Sequence, residues 1–269
     1  MNNQWGEYYY QHRNEFFAEE GHEKLLVGLK QFVKKCDDSK LVVGIDVGSC
    51  IGNYVHHIQE ICCEPNKRIL CIEPNPVNLE ILHKTISNET GIEVIPCCVS
   101  NVESKGNLYN WKGLTQNESG NEIAGLRSGG EKICEIPIRR LENILDETFH
   151  GKDIVIKFIK IDTEGNDTNV IKGLGKYLAK TKYIIFECSD CLDDTRGPGI
   201  ENPMKDIVDY LSDQGFDTYR IGTKKCIKVN DEYWNDIYEM LKFQSNCFAL
   251  KKEDPLIYEL IQGDFTYTY

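Results

Sequence analysis

Val42-Val43-Gly44-Ile45-Asp46-Val47-Gly48-Ser49-Cys50-Ile51-Gly52-Asn53 is a β-branched run that ends in an acid and two spaced glycines. In that order a parallel strand delivers backbone and a carboxylate to a ligand at its C-terminal edge. Past the middle of the chain, Phe158-Ile159-Lys160-Ile161-Asp162-Thr163-Glu164-Gly165 likewise ends in an acid and a glycine. Gly48 lets the chain turn sharply at the strand end, Gly52 lets the following helix approach closely, and Asn53 opens that helix. The spacing is G-x-x-x-G, not the G-x-G-x-x-G of a dinucleotide fold, and it lacks the Lys-Ser/Thr of a P-loop. Taken alone, the first motif also reads as a plain structural turn. The two motifs together point to an enzyme that uses a nucleoside cofactor.

The surrounding chain alternates strand and helix. Leu41–Val47 predicts a buried strand, 54–62 a helix, and Arg68–Glu73 the next strand. Pro74-Asn75-Pro76 breaks the chain, and 77–85 restarts it as a helix with Leu79, Leu82 and Ile86 on one face. A third strand is expected over 92–99, ending at Ser100-Asn101. Residues 103–135, rich in Gly, Asn and Ser, read as an irregular excursion with one hairpin around Gly106 to Trp111. Order resumes over 136–145. Strands follow over 154–162 and 183–187, with a helix over 169–179 between them. After a Gly-Pro loop over 195–203, a helix is expected over 204–214, with late strands at 217–221 and 246–250. Alternation of this kind predicts an open, mostly parallel sheet with helices on both faces. Residues 1–40, with Phe16, Phe17, Leu25, Leu26, Leu29 and Phe32 near a helical period, are expected to be a helical lead-in packed on a single domain over 41–269.

Composition narrows the function class. Thirty-one Lys and Arg against 43 Asp and Glu leave a net charge of −12, which repels a phosphate backbone. The basic clusters are as short as Arg139-Arg140, so nucleic acid is not an expected partner. The twelve cysteines sit largely in apolar runs and read as reduced, buried small hydrophobes. Cys188-Ser189-Asp190-Cys191 is a single CxxC without the second pair that a zinc site needs. The stretch Met1–Glu7 has neither a basic nor an apolar leader region, and no segment reaches the ~18 apolar residues of a span, so a cytoplasmic location is expected.

Glu73 stands at the end of the second strand, about where Rossmann-type folds place an acid that accepts bonds from ribose hydroxyls. A carboxylate there also suits a helix N-terminus, favoured by the dipole. Ser100 could bond an adenine edge from the same side, or be a turn serine.

These residues resemble the FkbM-type S-adenosylmethionine-dependent methyltransferases. The resemblance rests on Ile45-Asp-Val-Gly-Ser-Cys-Ile-Gly-Asn53, Ile72-Glu-Pro-Asn-Pro76, Val99-Ser-Asn101, and above all Ile159-Lys-Ile-Asp-Thr-Glu-Gly165 followed by Val170-Ile-Lys-Gly-Leu174. It covers about Leu41 to Glu187, with Asn246-Cys-Phe-Ala-Leu250 similar to the family's last strand. Cys50 stands where the family usually has Ala or an Asn neighbour, and residues 103–135 match no motif. The resemblance implies an α/β, Rossmann-like class I fold: a seven-stranded, mostly parallel sheet with its last strand antiparallel. It also implies transfer of a methyl group to a hydroxyl, commonly on a sugar or glycan. By position, Asp46, Gly48, Ser49, Gly52 and Asn53 would line the methionine moiety, Glu73 and Asn75 the ribose and adenine, and Val99 and Ser100 the adenine. Asp162 would sit beside the sulfonium and the acceptor.

A sugar hydroxyl is a weak nucleophile at neutral pH, and a carboxylate that accepts its proton as charge develops assists it. Asp162, Glu164 and Glu187 are the candidates. Asp162 equally suits holding the cofactor's amino group, and Glu164 suits capping the helix that begins near Asn166. Asp162, Glu187 and Asp190 together could hold a magnesium ion, though their spacing is no ligand signature. Trp111 and Trp234 could stack on a sugar ring, with burial the plainer expectation; the aromatic tail 265–269 and Tyr8-Tyr9-Tyr10 read as packing or terminal segments. Two competing functions are a nicotinamide-dependent oxidoreductase, which the missing G-x-G-x-x-G disfavours, and a non-catalytic binding protein, which the intact Asp46, Gly48 and Glu73 disfavour.

Overall fold

In a computed structural model, described over residues 4–16, 19–37, 39–110, 122–188, 204–223, 225–240, 245–257, 260 and 266–268, chain contacts divide into two compact units. One unit comprises Lys35–Thr181 and 193–200; the other comprises Met1–Lys34, Lys182–Leu192 and Glu201–Tyr269.

The first unit is built on β1 (Leu41–Val47), β2 (Arg68–Ile72), β3 (Ile92–Ile95) and β8 (Ile154–Ile161), all parallel in the order β8-β1-β2-β3. β1 and β8 are buried almost end to end, which is why both read as unbroken apolar runs and not as alternating ones. α3 (Val55–Ile61) packs on β1, β2 and β8 through Val55, Ile58 and Ile61. α4 (Pro76–Thr85) starts on Asn75, whose side chain accepts from the Val77 N–H, with proline in the first turn.

Between β3 and α5 (Leu141–Thr148) the structure departs from expectation. The third strand does not run through 92–99: it breaks at Pro96, which has no N–H for a ladder, and the chain resumes as β4 (Cys98–Ser100) in a different sheet. The stretch 103–135 is not merely an irregular excursion. β5 (Ser104–Asn110), β6 (Ala124–Gly125) and β7 (Glu131–Arg140) join β4 in a second sheet, ordered β4-β7-β5-β6. Its small core is Cys98, Leu108 and Ile136, with Leu126, Ile133 and Ile138 packed against it. The expected helix over 169–179 is shorter: α6 (Asp167–Gly173) is followed by a 3-10 stretch, Gly175–Lys180.

In the second unit, α1 (Gln4–His12) and α2 (Glu19–Phe32) precede β9 (Thr181–Cys188), α7 (Met204–Asp213), β10 (Phe216–Ile221), β11 (Lys225–Lys228), α8 (Ile237–Met240), β12 (Ser245–Lys251) and β13 (Thr266–Thr268). The strands run β9-β12-β10-β11-β13, with β12 antiparallel to both of its neighbours as expected of a last strand. Where seven strands in all were expected, this unit alone carries five, because β11 and β13 extend its ladder beyond β10. The architecture is α/β with a mainly parallel sheet, as the sequence predicts. Arg220 is fully buried in this unit, donating to the Tyr238 carbonyl at 2.7 Å with its guanidinium over the Tyr9 ring. Among the described residues no helix is long and apolar enough to cross a membrane. Most of the described cysteines are buried, but Cys63 is exposed.

Candidate active site

The carboxyl ends of β1, β2 and β8 bring the two signature motifs together. Asp46 on β1 is the register partner of Lys160 on β8 and of Cys71 on β2. That register depends on an irregularity between Val43 and Gly44; without it, Asp46 would lie opposite Ile159, whose side chain points to the other face.

Gly48 follows at φ +76°, and a Cβ there would collide with the Asp162 backbone carbonyl, so glycine is required twice over. The Gly48 and Ser49 N–H groups both donate to the Ile72 carbonyl, at 2.9 and 3.1 Å. The buried Ser49 hydroxyl donates to the Asp46 carbonyl oxygen at 2.8 Å. Gly52 also has positive φ and lies against Leu82; Asn53 is exposed ahead of α3.

Asp46 is completely buried, and among the described residues neither of its carboxylate oxygens has a hydrogen-bond partner. The cation beside it is Lys160, with Nζ 3.8 Å from Oδ1. Burial pushes the Asp46 carboxyl up to about 6; Asp162 adds to that rise, and Lys160 opposes it. Lys160 is itself buried. Its Nζ lies 3.1 Å from Asp162 Oδ2, donates to the Gly48 carbonyl at 3.3 Å and sits 4.6 Å from the Tyr54 ring centroid. Burial works against its proton, but Asp162 and Asp46 outweigh burial and hold the ammonium above its ordinary range. Lys160 belongs to the quoted motif, yet residue type and spacing gave it no role. Its place within an apolar strand was the available signal.

Glu73, just past β2, is buried and already engaged. Oε2 accepts from the Cys50 N–H at 2.8 Å, while Oε1 accepts from the Asn75 N–H at 2.9 Å and from Asn78 Nδ2 at 3.3 Å. Three of a carboxylate's roughly four acceptor positions are therefore taken. Burial nonetheless pushes Glu73 up to about 7 against these donors. The Asn75 side chain caps α4 and donates to Glu122 Oε2 at 3.2 Å. Asn78 and Glu122 exchange a pair of bonds: Asn78 Nδ2 to the Glu122 carbonyl, and the Glu122 N–H to Asn78 Oδ1, both 2.9 Å. Neither Asn78 nor Glu122 was singled out from sequence.

Asp162 is partly exposed, and its backbone N–H continues the ladder to the Val47 carbonyl at 3.0 Å. The turn beyond it is clamped by buried Asp167, which accepts from the Thr163 and Gly165 N–H groups at 3.2 Å each. Glu164 stands in that turn at φ +56°, partly exposed. The Thr163 hydroxyl oxygen is buried with no hydrogen-bond partner among the described residues. Val99 and Ser100 lie on β4: the Val99 carbonyl accepts from Asn166 Nδ2 at 2.7 Å, and the Ser100 hydroxyl lies 3.5 Å from Asn101 Oδ1. Glu187 is buried on β9, in the other unit. Asp190, Cys191, Trp111 and the 195–203 loop lie outside the described residues, as do the side chains of Cys188 and of the tail. Among the described residues no three His, Cys, Asp or Glu side chains are grouped to hold a metal ion.

The family described as the methyltransferase FkbM domain matches residues 46–218. The chain belongs to this family. The FkbM match begins on Asp46 and takes in Glu73, Val99, Ser100, Lys160, Asp162, Glu164 and Glu187. Among solved structures, the FkbM methyltransferase of Methylobacillus flagellatus KT is 16% identical, over 81% of this chain and 45% of its own, with a TM-score of 0.42. This chain thus spans less than half of that protein's length. An O-methyltransferase from Bacillus cereus in complex with SAH is 11% identical over 87% of this chain and 80% of its own, with a TM-score of 0.43. Aeropyrum pernix fibrillarin with natively bound S-adenosyl-L-methionine is 12% identical over 84% and 74%, with a TM-score of 0.41. No curated protein matches the chain in sequence.

Proposed function

We propose that this FkbM-family chain transfers methyl from S-adenosylmethionine to a hydroxyl of a sugar or glycan. The observation that carries the cofactor half is Asp46: a buried carboxylate without a hydrogen-bond partner among the described residues, at the end of a central parallel strand. A buried acceptor of that kind is costly unless a donor meets it, and a ligand's ammonium supplies one. Glu73 fits as acceptor for one ribose hydroxyl with the position it has left. Asn75 takes part through Glu122 and the start of α4, and Val99 and Ser100 contribute the β4 wall.

When bound, S-adenosylmethionine supplies a sulfonium methyl that needs little activation, so catalysis is chiefly placement of the acceptor oxygen. Asp162 is accessible enough to meet an acceptor hydroxyl, and Lys160 holds its carboxylate in one orientation. Asp162 thus orients the hydroxyl and takes its proton as charge develops. Glu164, in the adjoining turn, is the second candidate base.

Calorimetric titration of wild type and Glu73→Ala with S-adenosylmethionine, beside an NADH control, tests the cofactor. Binding that the variant loses supports the reading; NADH binding without S-adenosylmethionine binding overturns it. Sugars with free hydroxyls, assayed for S-adenosylhomocysteine release, test the acceptor. Transfer confined to amines or RNA would refute that half.

A further inference from the structure

We infer that Lys160 is a positioning residue that keeps the buried Asp46 carboxylate ionised for a cationic amino group, an inference that rests on the cofactor reading above. Three observations carry it. Asp46 and Lys160 are register partners on adjacent strands, so their side chains leave the sheet on the same face. Neither Asp46 oxygen meets a well-placed hydrogen-bond donor among the described residues, so in its fully buried position the largest support for its charge comes from the cation 3.8 Å away, ahead of the nearby Ser49 hydroxyl. Lys160 is fixed at the same time by Asp162 and the Gly48 carbonyl, which bars it from following Asp46 into a shorter contact. A tight Lys160–Asp46 bond would satisfy the acid outright and leave nothing for a ligand. The spacing seen supplies field without occupying the acceptor.

The other groups near Asp46 do not substitute for this cation. Asp162, from β8, and Glu73, beyond β2, are acids that disfavour its charge; Cys71 on β2 is a buried thiol pushed far above its ordinary value, and the Ser49 hydroxyl, which donates to the Asp46 backbone, supports the charge less than Lys160 does. Tyr54 faces Lys160 with its ring. Removing the ammonium alone therefore leaves Asp46 to protonate, and a neutral acid holds an ammonium group poorly.

The test is the pH dependence of S-adenosylhomocysteine binding, a stable probe with the same amino acid moiety. In wild type the affinity falls on the acid side as Asp46 protonates and on the alkaline side as the ligand's amine loses its proton, near pH ~8. In Lys160→Met the acid limb should move up by about one pH unit or more, while the alkaline limb, which belongs to the ligand, stays in place. Glu73 is intact in both proteins, so its titration does not distinguish them. Asp46→Asn should abolish the Asp46 component of the acid limb, and Lys160→Met added to it should cost less than about threefold further, because the two residues act as one unit. This double variant carries neither buried charge, which keeps the test open should Lys160→Met fold poorly. A parallel loss at every pH in Lys160→Met, or additive losses in the double variant, would show that Lys160 only packs, and would overturn the inference while leaving the cofactor assignment standing. Absence of binding to wild type across the range removes both.

Discussion

Asp46 is an acid whose burial works against its own charge, and that has a consequence before any ligand is considered. Its folded value, about 6, lies above its ordinary 3.8, so the stability it contributes is fully present below 3.8 and is lost as pH rises through 6. An Asp46→Asn variant loses that slope. Between those limits its urea-unfolding free energy should change less with pH than wild type's by about 3 kcal/mol; equal slopes would mean that Asp46 is not desolvated in the folded apo protein. Gly48 constrains the same corner sterically. Gly48→Ala puts a methyl into the Asp162 carbonyl at positive φ and should cost more than ~3 kcal/mol, whereas Gly151→Ala, also at positive φ but in open space, should cost about 1 kcal/mol. Thermal melts of the two variants separate collision from conformational preference, and matched losses would refute the collision.

Elements differ in how plainly they were written in the sequence, and burial explains why. β1, β2 and β8 are buried on both faces and read as apolar runs whose ends could be placed to within a residue or two. β5 has one fully buried residue in seven, Leu108, and β4 is three residues long, so the second sheet left no periodicity to find. Strand-end acids were legible because type and position coincide: Asp46, Glu73 and Asp162 all lie at one end of the parallel strands. Lys160 was not, since its partner is set by a shift of register near Gly44 that no spacing reveals. Asn78 and Glu122 meet across 44 residues, through a segment that matched no motif. The Ile-Lys-Gly-Leu run has a physical account at this scale. α6 crosses β4 so closely that a Cβ on Gly173 would strike the Ser100 carbonyl. Gly173→Ala should push α6 off β4 and destabilise by roughly 2–4 kcal/mol, against about 1 kcal/mol for Gly151→Ala in open space. Chemical denaturation of both checks this; a harmless Gly173→Ala would mean that α6 docks elsewhere.

For the whole molecule, buried acids of opposite sign set how stability responds to pH. Asp46, Glu73 and Asp167 are all raised, chiefly by burial, so each contributes stability that fades as pH climbs, through about 6 for Asp46 and about 7 for Glu73. Glu64 runs the other way. Its buried carboxylate accepts from Lys157 Nζ at 2.7 Å and from the Cys36 N–H at 2.7 Å, and these partners outweigh burial and hold it below its ordinary 4.5. The stability it lends is present above 4.5 and is lost as pH falls through its lowered folded value. Glu64→Gln leaves the Lys157 ammonium buried without its counter-charge and should cost about 3–5 kcal/mol at neutral pH, with the deficit shrinking under acid. With a net charge of −12 adding self-repulsion at high pH, the apo protein should be most stable near or below about pH 4.5 and lose stability as pH climbs from there to about 7. Saturating S-adenosylhomocysteine, if held by ionised Asp46, favours the charged acid and should move that maximum toward neutral pH. Melting temperatures measured across pH with and without ligand decide the matter. An apo maximum above pH ~7 would place the acids in water rather than in the core, and a ligand-induced shift toward acid would assign the amino group to some partner other than Asp46.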